Sequence, residues 1–365
     1  MKVLKHLERC GKRIIRSVAR QVLKNVRIRP DHVDTDSITR ILVVRQDGRL
    51  GNLVLMSPLL SALKAALPDA ELDVLVSEGF EEVLAGNPNV DHVRVFRKKR
   101  ARLFPWTYAG LVRELRKARY DLAVDVSNGY HFSLNGALLT RLSGARYRVG
   151  YDREDAGAFM NVLIPLPPPG TQMADAMRDI VKPILPGILE YQVAFYVSEE
   201  DRSFAAVWLQ EREITGYDSY FVIHPGGKEK KRWGARNFAG LIDRIAGVTG
   251  ARMVVAGSGP DRETIQEMRR LSRCGFDVLE GVTVGQMAAV IERCDLFISG
   301  DTGPMHVATA LGRPVVAVFL SSDYRIFGPR GKYGWVVTAE NSPVDVDDVV
   351  TAIWDILSID EESEK

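Results

Sequence analysis

From residue 40 onward, short β-rich apolar runs alternate with stretches of helical periodicity, and glycine loops follow several of the runs directly. "RILVVR" precedes a helical pattern near residues 51–66. "ELDVLVS" is followed by helical spacing around 79–86, and "VDHVRVF" by a pattern near 107–118. "YDLAVDV", "YRVGY" and "VLIPLPPP" continue the order. The second half repeats the plan. "YFVIHPGG" leads into helical residues 236–249, "ARMVVAGSG" into 260–273 and "FDVLEG" into 284–293. "LFISGDTGPMH" leads into a helix reaching about 311, and "PVVAVFL" follows. Such βαβ alternation implies parallel sheets covered on both faces. A chain of 365 residues is long enough for two such cores. Open sheets of this kind bind ligands outside the carboxyl ends of their strands, so the loops after the strands should carry the chemistry.

Composition narrows the setting. The three cysteines, Cys10, Cys274 and Cys294, have no paired or metal-like spacing. That points to a reducing compartment and away from a disulfide or zinc framework. No apolar run approaches the ~18 residues a spanning helix needs, and charges interrupt every N-terminal apolar stretch, so no signal peptide is expected. The net charge of +2 is unevenly spread. Residues 1–30 hold ten of the 49 Lys and Arg but only one acidic residue, Glu8, leaving 39 basic against 46 acidic residues in the rest. In this arm Val3, Leu4, Leu7, Ile14, Ile15, Val18, Val22 and Val26 form a helical stripe, flanked by Lys5, Arg9, Lys12, Arg13, Arg16, Arg20 and Lys24. A basic amphipathic helix suits an anionic membrane surface. Packing on the protein's own body is the alternative. Nucleic acid is disfavoured, because no aromatic residue interleaves the charges. Pro30 and "DHVDTDS" read as a linker. The expected organisation is an arm and linker over 1–38, a first Rossmann-like domain over 39–195, a second over 196–345, and a helix and tail over 346–365.

Three strand-end loops stand out in the second half. In "SGDTGPMH" (299–306), Asp301 and Thr302 stand at or before a helix start. The amides and dipole there would welcome a phosphate, although either residue would equally serve as a plain cap. In "HPGGKEKKRW" (224–233), four cations fall within five residues and Lys231 stands just before Trp233, a composition suited to a diphosphate or to a solvated loop. In "GSGPDRE" (257–263), Glu263, in preference to Asp261, is placed to accept from ribose hydroxyls. A first-turn carboxylate favoured by the helix dipole is the competing reading. The full dinucleotide fingerprint and the P-loop pattern are both missing, which argues against NAD and against a P-loop kinase. His306 either faces a ligand or is a satisfied buried histidine. His131 and His224 are less informative, and no HExxH arrangement occurs.

These loops, in this order, resemble glycosyltransferase family nine, whose best-known members are ADP-heptose:lipopolysaccharide heptosyltransferases. The resemblance covers about residues 40–340. It rests on "RILVVRQDGRLGNLVLMSPLLSALKAALPDAELDVLV", "YDLAVDV", "HPGGKEKKRWGARNFAGLI", "VVAGSGPDRE" and "ISGDTGPMHVATALGRPVVAVF". It implies the GT-B architecture of two Rossmann-like domains facing a cleft, with the nucleotide diphosphate sugar on the second domain, the acceptor on the first, and no metal or other cofactor. Carried over by position, Lys231 would meet the donor phosphates and Glu263 the ribose. Asp301, Thr302, Gly303 and His306 would line the diphosphate and sugar. Arg45 and Gly51 would belong to the acceptor-side loop.

That loop departs from the family pattern. Members commonly read Arg-x-Asp-Arg-Ile-Gly-Asp, and the final aspartate is thought to be the base for the acceptor hydroxyl. This chain reads "RQDGRLGN", with one extra residue and Asn52 in the last place. An amide does not take up a proton near neutral pH, whereas a carboxylate does. Three readings stay open: Asp47 supplies the base through a shifted loop; another base acts, or Asn52 merely orients the acceptor; or the protein is inactive or an engineered Asp-to-Asn form. The resemblance therefore implies an inverting transferase of the cytoplasmic inner-membrane face. It would move a sugar, heptose from ADP-heptose in the best-known members, to a lipid-linked envelope saccharide, while the basic arm over residues 1–30, read from its own pattern, would hold it on the anionic membrane. A sugar-nucleotide-binding scaffold without activity is the rival, and UDP- or GDP-sugars are alternative donors.

Overall fold

The computed structural model describes residues 25–127, 132–214, 219–331, 333–339 and 343–363. Most of the basic arm and His131 lie outside these residues. From Asn25 the chain lies against the first of two compact units. The Asn25 side chain donates to the carbonyls of Gly157 (3.0 Å) and Met160 (3.3 Å). The stretch expected to be a linker forms two 3-10 turns, Pro30–His32 and Thr35–Ser37, and buries Val33 and Ile38.

The first unit comprises the described residues up to Arg49 together with Leu55–Gln192, and the second comprises Leu50–Val54 and the chain from Val193 onward. The first unit holds β1 (Arg40–Val44), β2 (Glu71–Ser77), β3 (His92–Phe96), β4 (Leu122–Asp125), β5 (Tyr147–Tyr151) and β6 (Val162–Ile164). Their order across the sheet is β3-β2-β1-β4-β5-β6, and each neighbouring pair is parallel. Strands β1 and β2 are buried almost throughout, as expected of a parallel sheet covered on both faces.

The second unit repeats this order. Its strands are β7 (Tyr220–His224), β8 (Arg252–Ala256), β9 (Asp277–Leu279), β10 (Leu296–Gly300), β11 (Val315–Phe319) and β12 (Gly334–Thr338). They run β12-β11-β10-β7-β8-β9, again all parallel. Each sheet is thus the doubly wound Rossmann type, with a switch point where the order reverses: β1 against β4, and β7 against β10.

Several helices differ from the periodicity reading for local reasons. The expected helix over 51–66 is two, Leu50–Val54 and Ser57–Ala66. Pro58 has no N–H to offer the Val54 carbonyl, and its ring crowds that carbonyl, so the helix restarts there. The expected helix over 79–86 shrinks to one 3-10 turn, Glu81–Leu84, between Gly79 and Gly86, both with positive φ. The helix after β8 begins with a 3-10 turn, Gly259–Asp261, closed by a capping box from Ser258 to Asp261, and then runs over Arg262–Leu271. Helices Leu134–Leu142 and Met173–Asp179, and the half-exposed edge strand β12, escaped the sequence reading. No described helix is long and apolar enough to cross a membrane.

The second core explains how a cationic loop is held. Trp233 ends the loop after β7 and is 5% exposed. Its ring meets Phe238 edge-on at 5.1 Å, and its Nε1 donates to the Val344 carbonyl at 2.9 Å. Phe238 lies on the helix Ala235–Thr249, whose buried face packs on β7 and β8. The indole thus ties the loop to the core by both area and a hydrogen bond. Trp233→Ala is expected to cost about 3–5 kcal/mol by chemical denaturation. Trp233→Phe, which keeps most of the area but loses the N–H, should cost only about 1 kcal/mol more than nothing.

Candidate functional site

The second switch point brings three sequence-distant loops together. β7 and β10 lie side by side with His224 opposite Ser299, so the loops leaving both strands emerge at one place. Lys231, from the first loop, pairs with Asp301, from the second, and Ser322, from the loop after β11, also donates to Asp301. The Asp301 side chain is buried, while the Lys231 side chain is one-third exposed. The ammonium therefore meets a buried carboxylate on one side and retains an open side toward solvent.

Thr302 occupies the N-cap position of the helix Gly303–Ala310 in extended conformation (φ −134°, ψ 166°), yet its side chain makes no cap bond. Its Oγ1 is buried without a hydrogen-bond partner among the described residues. A buried hydroxyl left unpaired costs about 1–3 kcal/mol, so an oxygen-rich ligand at this helix start would relieve a deficit. Gly303 opens the helix. A Cβ there would come within 2.8 Å of the Leu50 Cβ. His306, one turn in, is 5% exposed. Burial pushes its imidazole down to about 4, Asp301 opposes that shift, and Lys231 adds to it. His306 is therefore neutral near pH 7 and offers one donor and one acceptor.

The helix Leu50–Val54, which groups with this second unit, packs on Gly303–Ala310. Gly51 sits directly against the His306 ring, where any Cβ would collide with it. Asn52 is buried on the same short helix and has a polar partner of its own. The requirement for glycine at position 51 is thus a matter of close approach.

The third loop joins through His224 and Asp261. The His224 Nδ1 accepts from the Gly226 amide at 3.3 Å, which leaves Nε2 as the protonated nitrogen, 4.0 Å from Asp261. Burial lowers the His224 pKa, and Asp261 opposes it. Asp261 also accepts from the Ser258 amide at 3.0 Å and hydroxyl at 2.9 Å. It is therefore buried and occupied by structural bonds, whereas Glu263 is exposed on the first turn of the helix Arg262–Leu271. Of the two carboxylates, Glu263 is the one presented outward.

The first unit has its own polar cluster at the β1/β4 switch point, where Val44 faces Asp125. Arg45 is only 2% exposed. Its guanidinium grips Asp47 with two bonds, Nε to Oδ1 at 2.8 Å and Nη2 to Oδ2 at 2.9 Å, and its Nη1 donates to the Val126 carbonyl. Burial lowers the Arg45 pKa, and Asp47 is the main opposing influence. Asp47 itself is partly exposed at a tight turn closed by the Arg49 amide on the Asp47 carbonyl, 2.7 Å. The neighbouring Gln46 side-chain amide has both polar atoms buried without partners among the described residues.

Sequence reasoning missed Asp125 as a site residue, although it quoted the run that contains it. Asp125 is 4% exposed and accepts from the Ser127 amide at 3.0 Å and from the Ser127 hydroxyl. Burial raises its pKa, while Ser127, Arg153 and Arg45 oppose that rise. A carboxylate ending the otherwise apolar strand "LAVD" was the available signal, because that is where a parallel sheet places its chemistry.

Comparison with known proteins bears on the family and the fold. The model of glycosyltransferase family 9 (heptosyltransferase) matches residues 108–346. Lipopolysaccharide heptosyltransferase 3 of Escherichia coli is 26% identical over 295 residues, covering 76% of this chain and 83% of its own. The glycosyl transferase family 9 structure from Veillonella parvula superposes with a TM-score of 0.81 at 23% identity, covering 89% of this chain and 98% of that one. The E. coli heptosyltransferase WaaC with ADP-2-deoxy-2-fluoro heptose superposes with a TM-score of 0.70 at 22% identity, covering 87% and 99%. These superpositions establish the GT-B type of fold. With the family match spanning well over half of its length, the chain belongs to glycosyltransferase family 9, the heptosyltransferase family, and is an enzyme of glycosyl transfer from a nucleotide sugar.

Proposed function

We propose that the protein moves heptose from ADP-heptose to a lipopolysaccharide-core saccharide, with inversion and without a metal. The observation that carries this reading is the Lys231–Asp301–Thr302 cluster at the β7/β10 switch point. It combines a half-open ammonium, an unpaired buried hydroxyl and the start of the helix Gly303–Ala310. Those are the groups a diphosphate needs when no cation accompanies it. Names of relatives support the sugar and acceptor: one is a lipopolysaccharide heptosyltransferase and another is solved with an ADP-heptose analogue.

In the proposed reaction the acceptor hydroxyl oxygen forms a bond to the anomeric carbon. The bond from that carbon to the diphosphate oxygen breaks, and the electron pair leaves with ADP. Lys231, the Thr302 hydroxyl and the helix amides offset the charge that develops on the leaving group. Neutral His306 lines the sugar side, and Glu263 accepts from the ribose. The hydroxyl proton passes to a carboxylate. Asp47 is the proposed base, oriented by the two-point grip of Arg45, because Asn52 stands where family members usually carry the aspartate. Asp125 is the other carboxylate at that strand end, but its serine contacts and burial fit a supporting part. The Asn52 amide also motivates the rival reading of a donor-binding scaffold. That rival requires ADP-heptose binding with no turnover on any core saccharide.

We place the enzyme at the cytoplasmic face of the inner membrane, with the basic residues 1–30 on anionic lipid. Deleting the arm should move the protein from the membrane to the soluble fraction, and an unchanged distribution would rule that role out.

Two substitutions test the chemistry. Asp47→Ala should lower kcat by about 10²–10⁴-fold, with the Kd for ADP unchanged by calorimetry. Full turnover in that variant, with loss in Asp125→Asn, would transfer the base to Asp125. Lys231→Ala should weaken ADP binding by about 1.5–3 kcal/mol, the worth of a hydrogen bond to a charged group. Thermal unfolding serves as the control for the buried Asp301 left unpaired. Unaltered ADP affinity in a folded Lys231→Ala protein would remove the lysine from the donor site.

A further inference from the structure

Between β3 and the helix Pro105–Ala118 the chain reads "RKKRARLFPW" (97–106), five cations without an acidic residue, then two aromatics around a proline. The helix Lys98–Leu103 ends at Phe104 (φ −131°, ψ 87°), and the next begins at Pro105. The second helix is held to the body by Tyr108, Leu111, Val112 and Leu115, which pack with Phe96. At 3.6 residues per turn, Trp106 lies on the opposite side of that helix from this stripe. It is 68% exposed, and Phe104 is 42% exposed. Their rings contact each other at 5.0 Å between centroids, so they form one outward aromatic wedge. Thr107 pins the break by donating from its amide (2.9 Å) and hydroxyl (2.7 Å) to the Phe104 carbonyl. Arg97, Lys98 and Arg100 are exposed beside the wedge, and Arg97 makes a 3.5 Å ion-pair contact with Glu78.

Nothing in the proposed transfer uses this surface, where an exposed tryptophan lies tilted at 51° against an exposed phenylalanine. Tryptophan settles at membrane interfaces because one edge is apolar and its N–H stays wet, while flanking Lys and Arg draw anionic headgroups. We propose that Phe104 and Trp106, with Arg97, Lys98 and Arg100, form a second membrane-docking surface that inserts the aromatic wedge into an anionic phospholipid bilayer, independently of the N-terminal arm. The charge complementarity is local, since the chain beyond residue 30 is acidic on balance. The two rings lie against each other instead of standing apart as separate platforms for successive bases, which favours lipid over single-stranded nucleic acid. The inference rests on the reading that the acceptor is lipid-linked.

The test uses the full-length chain and sedimentation with vesicles of phosphatidylcholine, with and without phosphatidylglycerol. Wild type should partition onto the anionic vesicles. The triple variant Arg97→Glu, Lys98→Glu, Arg100→Glu should lose on the order of 100-fold in partitioning, at roughly fivefold per cation. The pair Phe104→Ala, Trp106→Ala should lose at least about tenfold. Brominated lipid should quench a component of tryptophan emission in wild type that is missing in Trp106→Phe, a readout the arm does not supply. Transfer to a delipidated core saccharide should be the same in all four proteins, which separates failure of docking from failure of the catalytic reading. Equal partitioning and equal quenching in wild type and variants would overturn the proposal. So would binding of a single-stranded oligonucleotide in place of vesicles.

Discussion

The ion pair between Lys231 and Asp301 is the interaction on which the loop arrangement of the second unit depends. It joins the loop after β7 to the loop after β10, and those two strands are neighbours at the place where the sheet order reverses. Without a carboxylate behind it, the lysine would be one solvated cation among four in a mobile-looking run of sequence. With it, the ammonium has a fixed position, because Asp301 is buried and is also held by Ser322. Trp233 completes the mounting by anchoring the far end of the cationic loop in the core. A site preorganised in this way requires little rearrangement when charge develops on a leaving group.

The first unit solves a related problem with different residues. Arg45 is almost fully buried and is made tolerable there by Asp47, the Val126 carbonyl and nearby Asp125. An arginine fork holding a carboxylate by two bonds fixes orientation as well as charge. The loop that lacks the family's final aspartate therefore still contains an ordered carboxylate, five residues earlier. Asn52 and Gly51 meanwhile belong to a short helix that packs on Gly303–Ala310, where glycine is demanded by the His306 ring. The same eight-residue stretch thus serves two purposes, one at each end.

Much of this was legible before the structure. Strand and helix alternation, the doubling of the plan and the three glycine loops all follow from short-range pattern. Loop chemistry singled out Lys231, Asp301, Thr302 and Glu263 as candidates and left plain caps and a solvated loop as alternatives; the structure brings Lys231 and Asp301 together. Other features depend on which strand lies beside which, and spacing along the chain does not carry that. Lys231 and Asp301 are separated by 70 positions, and Asp125 matters only because β4 is the neighbour of β1. That Asp261 is occupied by a capping box and lies beside a buried histidine, while Glu263 faces outward, has no strong signature in sequence. The broken helix after β1 was in principle readable from Pro58, but the apolar periodicity continues across the break and masks it.

The account stands or falls on where a diphosphate sits. A crystal structure of the protein with ADP, grown in the presence of a chelator, addresses this most directly. The predicted result is a diphosphate against the Lys231 ammonium, the Thr302 hydroxyl and the amides that open the helix at Gly303, with the ribose toward Glu263. Density for the diphosphate at any other strand end, or binding that disappears once the chelator is added, would contradict it.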